Sequence, residues 1–363
     1  MQLIDWNVAT ATATRLVPPG PRLTLTEAIA VVDDLRDLAE QASGHVRDFT
    51  GLAADGSAAP VAVVDRPEWV RSNVDGFRQL IDPLLETVLA GRAPSFGPIA
   101  SVVGPRATGA EVGGLLAYLA TRVLGQFELL GPAPDGAGGG GRLTLVAPNI
   151  VAAEQALAVD RHDFRLWVCL HEVTHRTQFA AAPWLHEHVR ALLRDYLTAA
   201  DLDPHVVLSR LRGALGSVGD LLRGGSDQSL LDLVQTPEQR KVLDRVTGLM
   251  SLLEGHADFV MDGVGPAVVP TVDTIRARFE GRRRVGNPLE RLVRRLFGLE
   301  MKLKQYAEGA RFVREVVQAV GRDGLNRVWT GAELLPDAAE IRDPQRWLQR
   351  VAPDPPAELA AGG

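Results

Sequence analysis

Asp163-Phe-Arg-Leu-Trp-Val-Cys-Leu-His-Glu-Val-Thr-His-Arg-Thr-Gln-Phe179 is the stretch on which the reading of this chain turns. Asp160 can cap a helix that starts at Arg161, and Pro183 predicts its end near Ala181. Phe164, Leu166, Trp167, Val168, Cys169, Leu170 and Val173 make that helix apolar nearly all round, which predicts a path through the interior. Inside it, His171, Glu172 and His175 form an H-E-x-x-H motif. Imidazoles four residues apart share one helix face, about 6 Å apart along the axis, so both can reach one ion. Buried histidines and a buried glutamate need partners, and zinc supplies them. Glu172 would then sit beside the metal without ligating it, placed to take a proton from a water whose pKa zinc lowers toward roughly 7.

A catalytic zinc site holds three protein ligands and keeps the fourth position for water. The extended H-E-x-x-H-x-x-G-x-x-H form is absent, because Gln178 and Ala181 stand where its glycine and third histidine would be. The third ligand must therefore come from elsewhere. Leu253-Glu-Gly-His-Ala-Asp258 supplies it in a predicted helix: Glu254 and Asp258 are one turn apart and point the same way. Glu254 is assigned to the metal, and Asp258 to the free ring N–H of a ligand histidine. His256, about 100° around the helix from their face, is the rival ligand. His186 and His188 follow the Pro183 break and are read as part of a solvated helix.

The remainder of the chain bounds the answer. Its 363 residues are enough to bury a large core, and 46% hydrophobic with 23% charged residues is globular composition. A net charge of -6 argues against general nucleic-acid binding, although ten Lys or Arg against three Glu between Arg276 and Lys304 make a local +7, read as a solvated helix face. One cysteine, Cys169, excludes an internal disulfide and a cysteine-based zinc cluster. The amino terminus lacks a secretion signal and no segment has the uninterrupted apolar run of a membrane span, so a cytoplasmic protein with no membrane partner is expected.

Helical periodicity dominates. The spacing predicts helices at about 25–42, from Asp65 onward, and at 109–125, 161–181, 184–198, 237–262, 269–280, 288–319 and 337–350. Leu143 to Ala147 reads as a short strand, with Val61 to Val64 a second. The expected fold is mainly α with a small β element, an α+β class. The glycine-rich loop from Ala133 to Gly141 would separate an N-terminal helical region, 1–135, from a metallohydrolase region, 142–350, ahead of an unstructured tail, 352–363.

The paired motifs His171-Glu172-x-x-His175 and Glu254-x-x-x-Asp258 resemble the gluzincin arrangement of thermolysin-like peptidases, although Glu254 follows His175 by 79 positions, far more than in thermolysin. The 163–179 run with Pro183-Trp184, Glu254-Gly255 and Gly298-Leu-Glu-Met-Lys-Leu-Lys-Gln-Tyr306 is similar, over nearly the whole chain, to a bacterial zincin-like family. Its members are described as hydrolases or zinc-dependent metalloproteases, some associated with deazaflavin-coenzyme biosynthesis. The resemblance implies a largely helical fold around a zincin core. The expected activity is zinc-dependent hydrolysis of a peptide, with a small amide metabolite or an inactive zinc-stabilised protein as alternatives. An edge of the 143–147 strand bordering an open groove would favour the peptide. Tyr306 and His205 are candidates for the donor to the developing oxyanion.

Overall fold

The helices begin where capping residues stand. Thr24 N donates to Glu27 Oε2 at 2.8 Å and Glu27 N donates to Thr24 Oγ1 at 3.3 Å, a complete capping box. Asp65 accepts from Glu68 N, and Asp160 from Asp163 N, at the starts of two further helices. A computed structural model describes residues 3–52, 60–89, 98–128, 141–199, 236–284 and 299–351. In chain order the elements are α1 (Trp6–Leu16), α2 (Leu25–Thr50), β1 (Val61–Val64), α3 (Arg66–Leu89), α4 (Pro98–Leu119), β2 (Gly125–Glu128), β3 (Arg142–Val146), α5 (Ala147–Leu157), α6 (Arg161–Ala181) and α7 (Trp184–Thr198). They are followed by α8 (Pro237–Val264), α9 (Val272–Arg284), α10 (Leu299–Asn326), α11 (Ala338–Arg342) and α12 (Pro344–Val351). The α+β expectation holds.

Two compact units emerge, Met1–His186 with Val260–Phe279, and Glu187–Phe259 with Glu280–Gly363. The first contains the sheet, in the order β1-β3-β2, with β1 parallel and β2 antiparallel to β3. Alternation along β3 sends Leu143 and Leu145 into one core with Leu35 and Leu38 of α2, Phe164 and Val168 of α6, and Val260 and Met261. Val146 joins Trp6, Trp69, Val70 and Leu116 in a second core on the other face. Both faces of β3 are thus buried, with helices on each side. The second unit packs Phe312 against Trp347, ring centroids 5.7 Å apart, and brings the Gly255 and Gly309 backbones so close that a Cβ at either would collide with the other helix.

Several elements differ from expectation. The predicted 109–125 helix ends at Leu119, and Gly125–Glu128 instead forms β2, too short to show a period of two. Helices α1 and α5 were not predicted, and Pro148, read as ending the strand, also lies in the first turn of α5. The 337–350 prediction divides into α11 and α12. Residues 133–140, 285–298 and the 352–363 tail lie outside the described residues. No helix among the described residues is long and apolar enough to cross a membrane.

One buried amide ties the approach to β2. Asn149 Nδ2 donates to the carbonyls of Ala120 and Val123 at 2.8 and 2.6 Å, while its Oδ1 accepts from Arg66 Nε at 2.7 Å. Asn149→Ala strands all three buried partners and is expected to cost about 2–4 kcal/mol in urea unfolding. A loss below roughly 0.5 kcal/mol would mean that water replaces the amide without penalty.

Candidate metal centre

Helix α6 presents three faces, each with its own partner. Arg165, Cys169 and Arg176 face α2. Arg165 bridges the carboxylates of Glu154 and Asp34 at 2.8 and 2.9 Å, the Cys169 thiol points to Leu35 O, and Arg176 donates to Ser43. Burial pushes the Cys169 thiol far up, with the charges of Glu172 and Asp34 adding to it, so it is no nucleophile. The local +7 segment contributes a fixed group as well: Arg278 donates to the carbonyls of Leu157 and Ala158 at the end of α5.

Glu172 and Phe179, seven residues apart, form the second face and meet β2. Phe179 stacks on Phe127 with ring centroids 5.1 Å apart, and the edge of His186 packs against both rings. His186 is therefore buried among aromatic groups rather than on a solvated helix. Burial, and then the nearby Arg245, hold His188 below the usual imidazole range. The Glu172 carboxylate, 7% exposed, lies where Gly125 carries no side chain.

His171, His175 and Gln178 make the third face. The two imidazoles stand nearly perpendicular, with Nε2 atoms 3.2 Å apart. His175 Nδ1 lies 3.0 Å from Gln178 Oε1, and His171 Nδ1 lies 3.3 Å from Met261 Sδ. With the ring protons on the two Nδ1 atoms, the amide oxygen and the thioether sulfur can accept them, and both Nε2 lone pairs are left to ligate on the inner side. The 3.2 Å between the Nε2 atoms is near the nitrogen separation of a tetrahedral shell with bonds of about 2.0–2.1 Å. The donor set therefore fits a zinc ion.

Glu254 lies half-buried on α8, as does Asp258 one turn later. Ligand atoms of His171, His175 and Glu254 all lie within 4.8 Å of one another, a group able to hold a metal. His256 is instead buried at 2% exposure against the Trp329 ring, away from the role of rival ligand. Tyr306 falls within α10, but its side chain lies outside the described residues, as does all of His205.

A model of the zincin-like metallopeptidase family matches residues 4–348. The chain belongs to this family. Membership carries with it a metal, typically zinc, and hydrolytic chemistry. A crystal structure from Chloroflexus aurantiacus, described as a candidate hydrolase with a novel fold, is similar at 32% identity and a TM-score of 0.67, covering 97% of this chain and 100% of that one. No curated protein matches the chain.

Sequence reasoning noticed Gln178 only as a departure from the extended motif and missed Gly125 altogether. The signal for Gln178 was available: three residues after His175 it must share that histidine's face. Gln178→Leu keeps the volume and removes the acceptor. Zinc affinity is expected to fall about 10- to 100-fold with both histidines in place, read by competition with a chelator. Parent-like affinity in Gln178→Leu would show that the amide does not hold the ring.

Proposed function

We propose that the chain is a zinc-dependent peptidase of gluzincin type, with His171, His175 and Glu254 as metal ligands, Glu172 as general base and acid, and Asp258 supporting a ligand histidine. The observation that carries this reading is the 3.2 Å approach of the two Nε2 atoms, with the Glu254 carboxylate in the same group and the buried Glu172 one residue along the helix. Zinc bound there would supply the Lewis acidity that polarises an amide carbonyl and lowers the pKa of water toward roughly 7.

The chain's own groups do the rest. A Glu172 Oε atom takes the proton of the attacking water and returns it to the nitrogen of the leaving amine, which would otherwise depart as an anion. Burial at 7% exposure limits competing solvent around that carboxylate. Gln178 Oε1 holds the His175 proton on Nδ1 and keeps Nε2 free to ligate.

A peptide substrate is supported by the position of β2, though not in the way the sequence suggested. The 143–147 strand is central, paired on both sides, and offers no edge. The strand beside Glu172 is β2, which ends the sheet among the described residues and could receive an extended chain through its backbone groups. Turnover of a peptide library by the zinc form, with small amides inert, is the expected result; the reverse would assign a metabolite hydrolase.

Purified protein is expected to carry about one zinc per chain by elemental analysis, and none after zinc reconstitution would sink the assignment. Glu172→Gln should retain zinc and fold while turnover falls roughly 10²- to 10⁴-fold, because an amide cannot accept the proton. Glu254→Ala should lose tight zinc binding, whereas Asp258→Ala should weaken affinity or activity by about 10- to 100-fold. Equal zinc titrations for Glu254→Ala and the parent would move the third ligand elsewhere.

A further inference from the structure

Gly125 opens β2, paired with Leu145 in the antiparallel ladder. A Cβ at this position would stand 2.7 Å from both Cγ and Cδ of Glu172 and 3.0 Å from its Oε1. Real Cβ contacts are essentially never that short, so a side chain at 125 and the present Glu172 rotamer exclude each other. Left-handed backbone is not the reason for the glycine, since among the described residues the positive-φ glycines are Gly51, Gly265 and Gly321. Its role is room.

The strand has little freedom to retreat. Residues 126 and 128 point to the opposite face, where Trp69 Nε1 donates to Gln126 Oε1 at 3.0 Å and Gln126 Nε2 donates to Asn73 at 3.2 Å. Glu128, 8% exposed, accepts from Thr144 Oγ1 at 2.5 Å and from Ser72 at 2.8 Å, and pairs with Arg142 at 3.1 Å. On the near face Phe127 is stacked on Phe179. With β2 clamped on both faces, an added methyl must be accommodated by the Glu172 side chain.

We infer that Gly125 is a positioning residue for the Glu172 carboxylate: the missing side chain is the space that lets the carboxylate lie against the strand, and its size sets where the proton acceptor stands. This rests on the reading of Glu172 as general base, and part of its test needs neither metal nor substrate. In the metal-free protein, Gly125→Ala should lower the thermal midpoint by about 2–6 °C in the parent background and by less than about 1 °C beside Glu172→Ala, because the collision partner is then gone. In the zinc form, Gly125→Ala should retain about one zinc per chain and lose about 10- to 100-fold in kcat, with KM within roughly threefold. Adding Glu172→Asp withdraws the carboxylate by one methylene. The double variant should then match Glu172→Asp alone in kcat.

Equal midpoint losses in the two backgrounds would overturn the inference, as would parent-like kcat in Gly125→Ala. Unfolding of Gly125→Ala that Glu172→Ala does not repair would also overturn it, because the clash would then be with the strand itself. A chain that shows the thermal coupling but hydrolyses no amide would sink the peptidase reading and leave the placement of Glu172 by Gly125 standing.

Discussion

The 3.2 Å approach of His171 Nε2 to His175 Nε2 is the constraint from which the rest of the site follows. A helix puts residues four apart on one face, yet it does not decide which ring nitrogen points where. That choice is made by the outer partners. Gln178, fully buried, offers an oxygen to one ring, and Met261 offers a sulfur near the other. Where each of these atoms accepts the Nδ1 proton of its ring, both Nε2 lone pairs are left free on the inner side. Two half-buried imidazoles so arranged are predisposed toward a cation.

Burial also explains why the helix itself has to be held so firmly. An apolar rod could rotate in a hydrophobic core at modest expense, because dispersion contacts are not directional. Arg165 removes that freedom, bridging Glu154 and Asp34 at a position 11% exposed, and Arg176 adds a donor bond to Ser43. Desolvation holds the Arg176 guanidinium below its usual range, with Glu40 opposing the shift, so the charge is tolerated there only because acceptors are close. These bonds fix the rotation of α6, and with it the directions of Glu172 and of both histidines. The ionic groups face α2 and the reactive groups face away from it, so structural and chemical charges stay separate on one helix.

How much of this could be read from the sequence depended on whether the determinant was local. Thr24 with Glu27, Asp65 and Asp160 marked helix starts that the structure reproduces, because a cap is a contact within one turn. The 143–147 strand was legible as alternation and Val61 to Val64 as a short apolar run, but their parallel pairing was not, since it joins segments on either side of the glycine-rich loop. Gly125 to Glu128 carried no strand signal. Its reason for being a strand is the ladder to β3 and the polar seam to α3, both made by distant residues. The H-E-x-x-H motif was plain, whereas Gly125 gave no sign, because the feature that matters is the atom it lacks beside a side chain 47 positions away.

The long interval between the histidine motif and Glu254 looks anomalous only while the chain is followed by sequence. Helix α8 is unbroken from Pro237 to Val264, and its last turns place Val260 and Met261 in the same core as α6, with Met261 against the His171 ring. Glu254 precedes Met261 by seven residues, two turns of helix, so the two side chains leave on the same face; Asp258 falls between them on that face. Along the sequence of that helix Glu254 is set seven residues before Met261, whose sulfur lies 3.3 Å from His171 Nδ1. Loop-closure entropy rises only slowly with length, so 79 positions rather than a few tens between the two motifs carry little added penalty. For the proposed ligand set, insertions between the two motifs are therefore tolerable, and the interval that such insertions leave unchanged is the seven residues from Glu254 to Met261 within one helix.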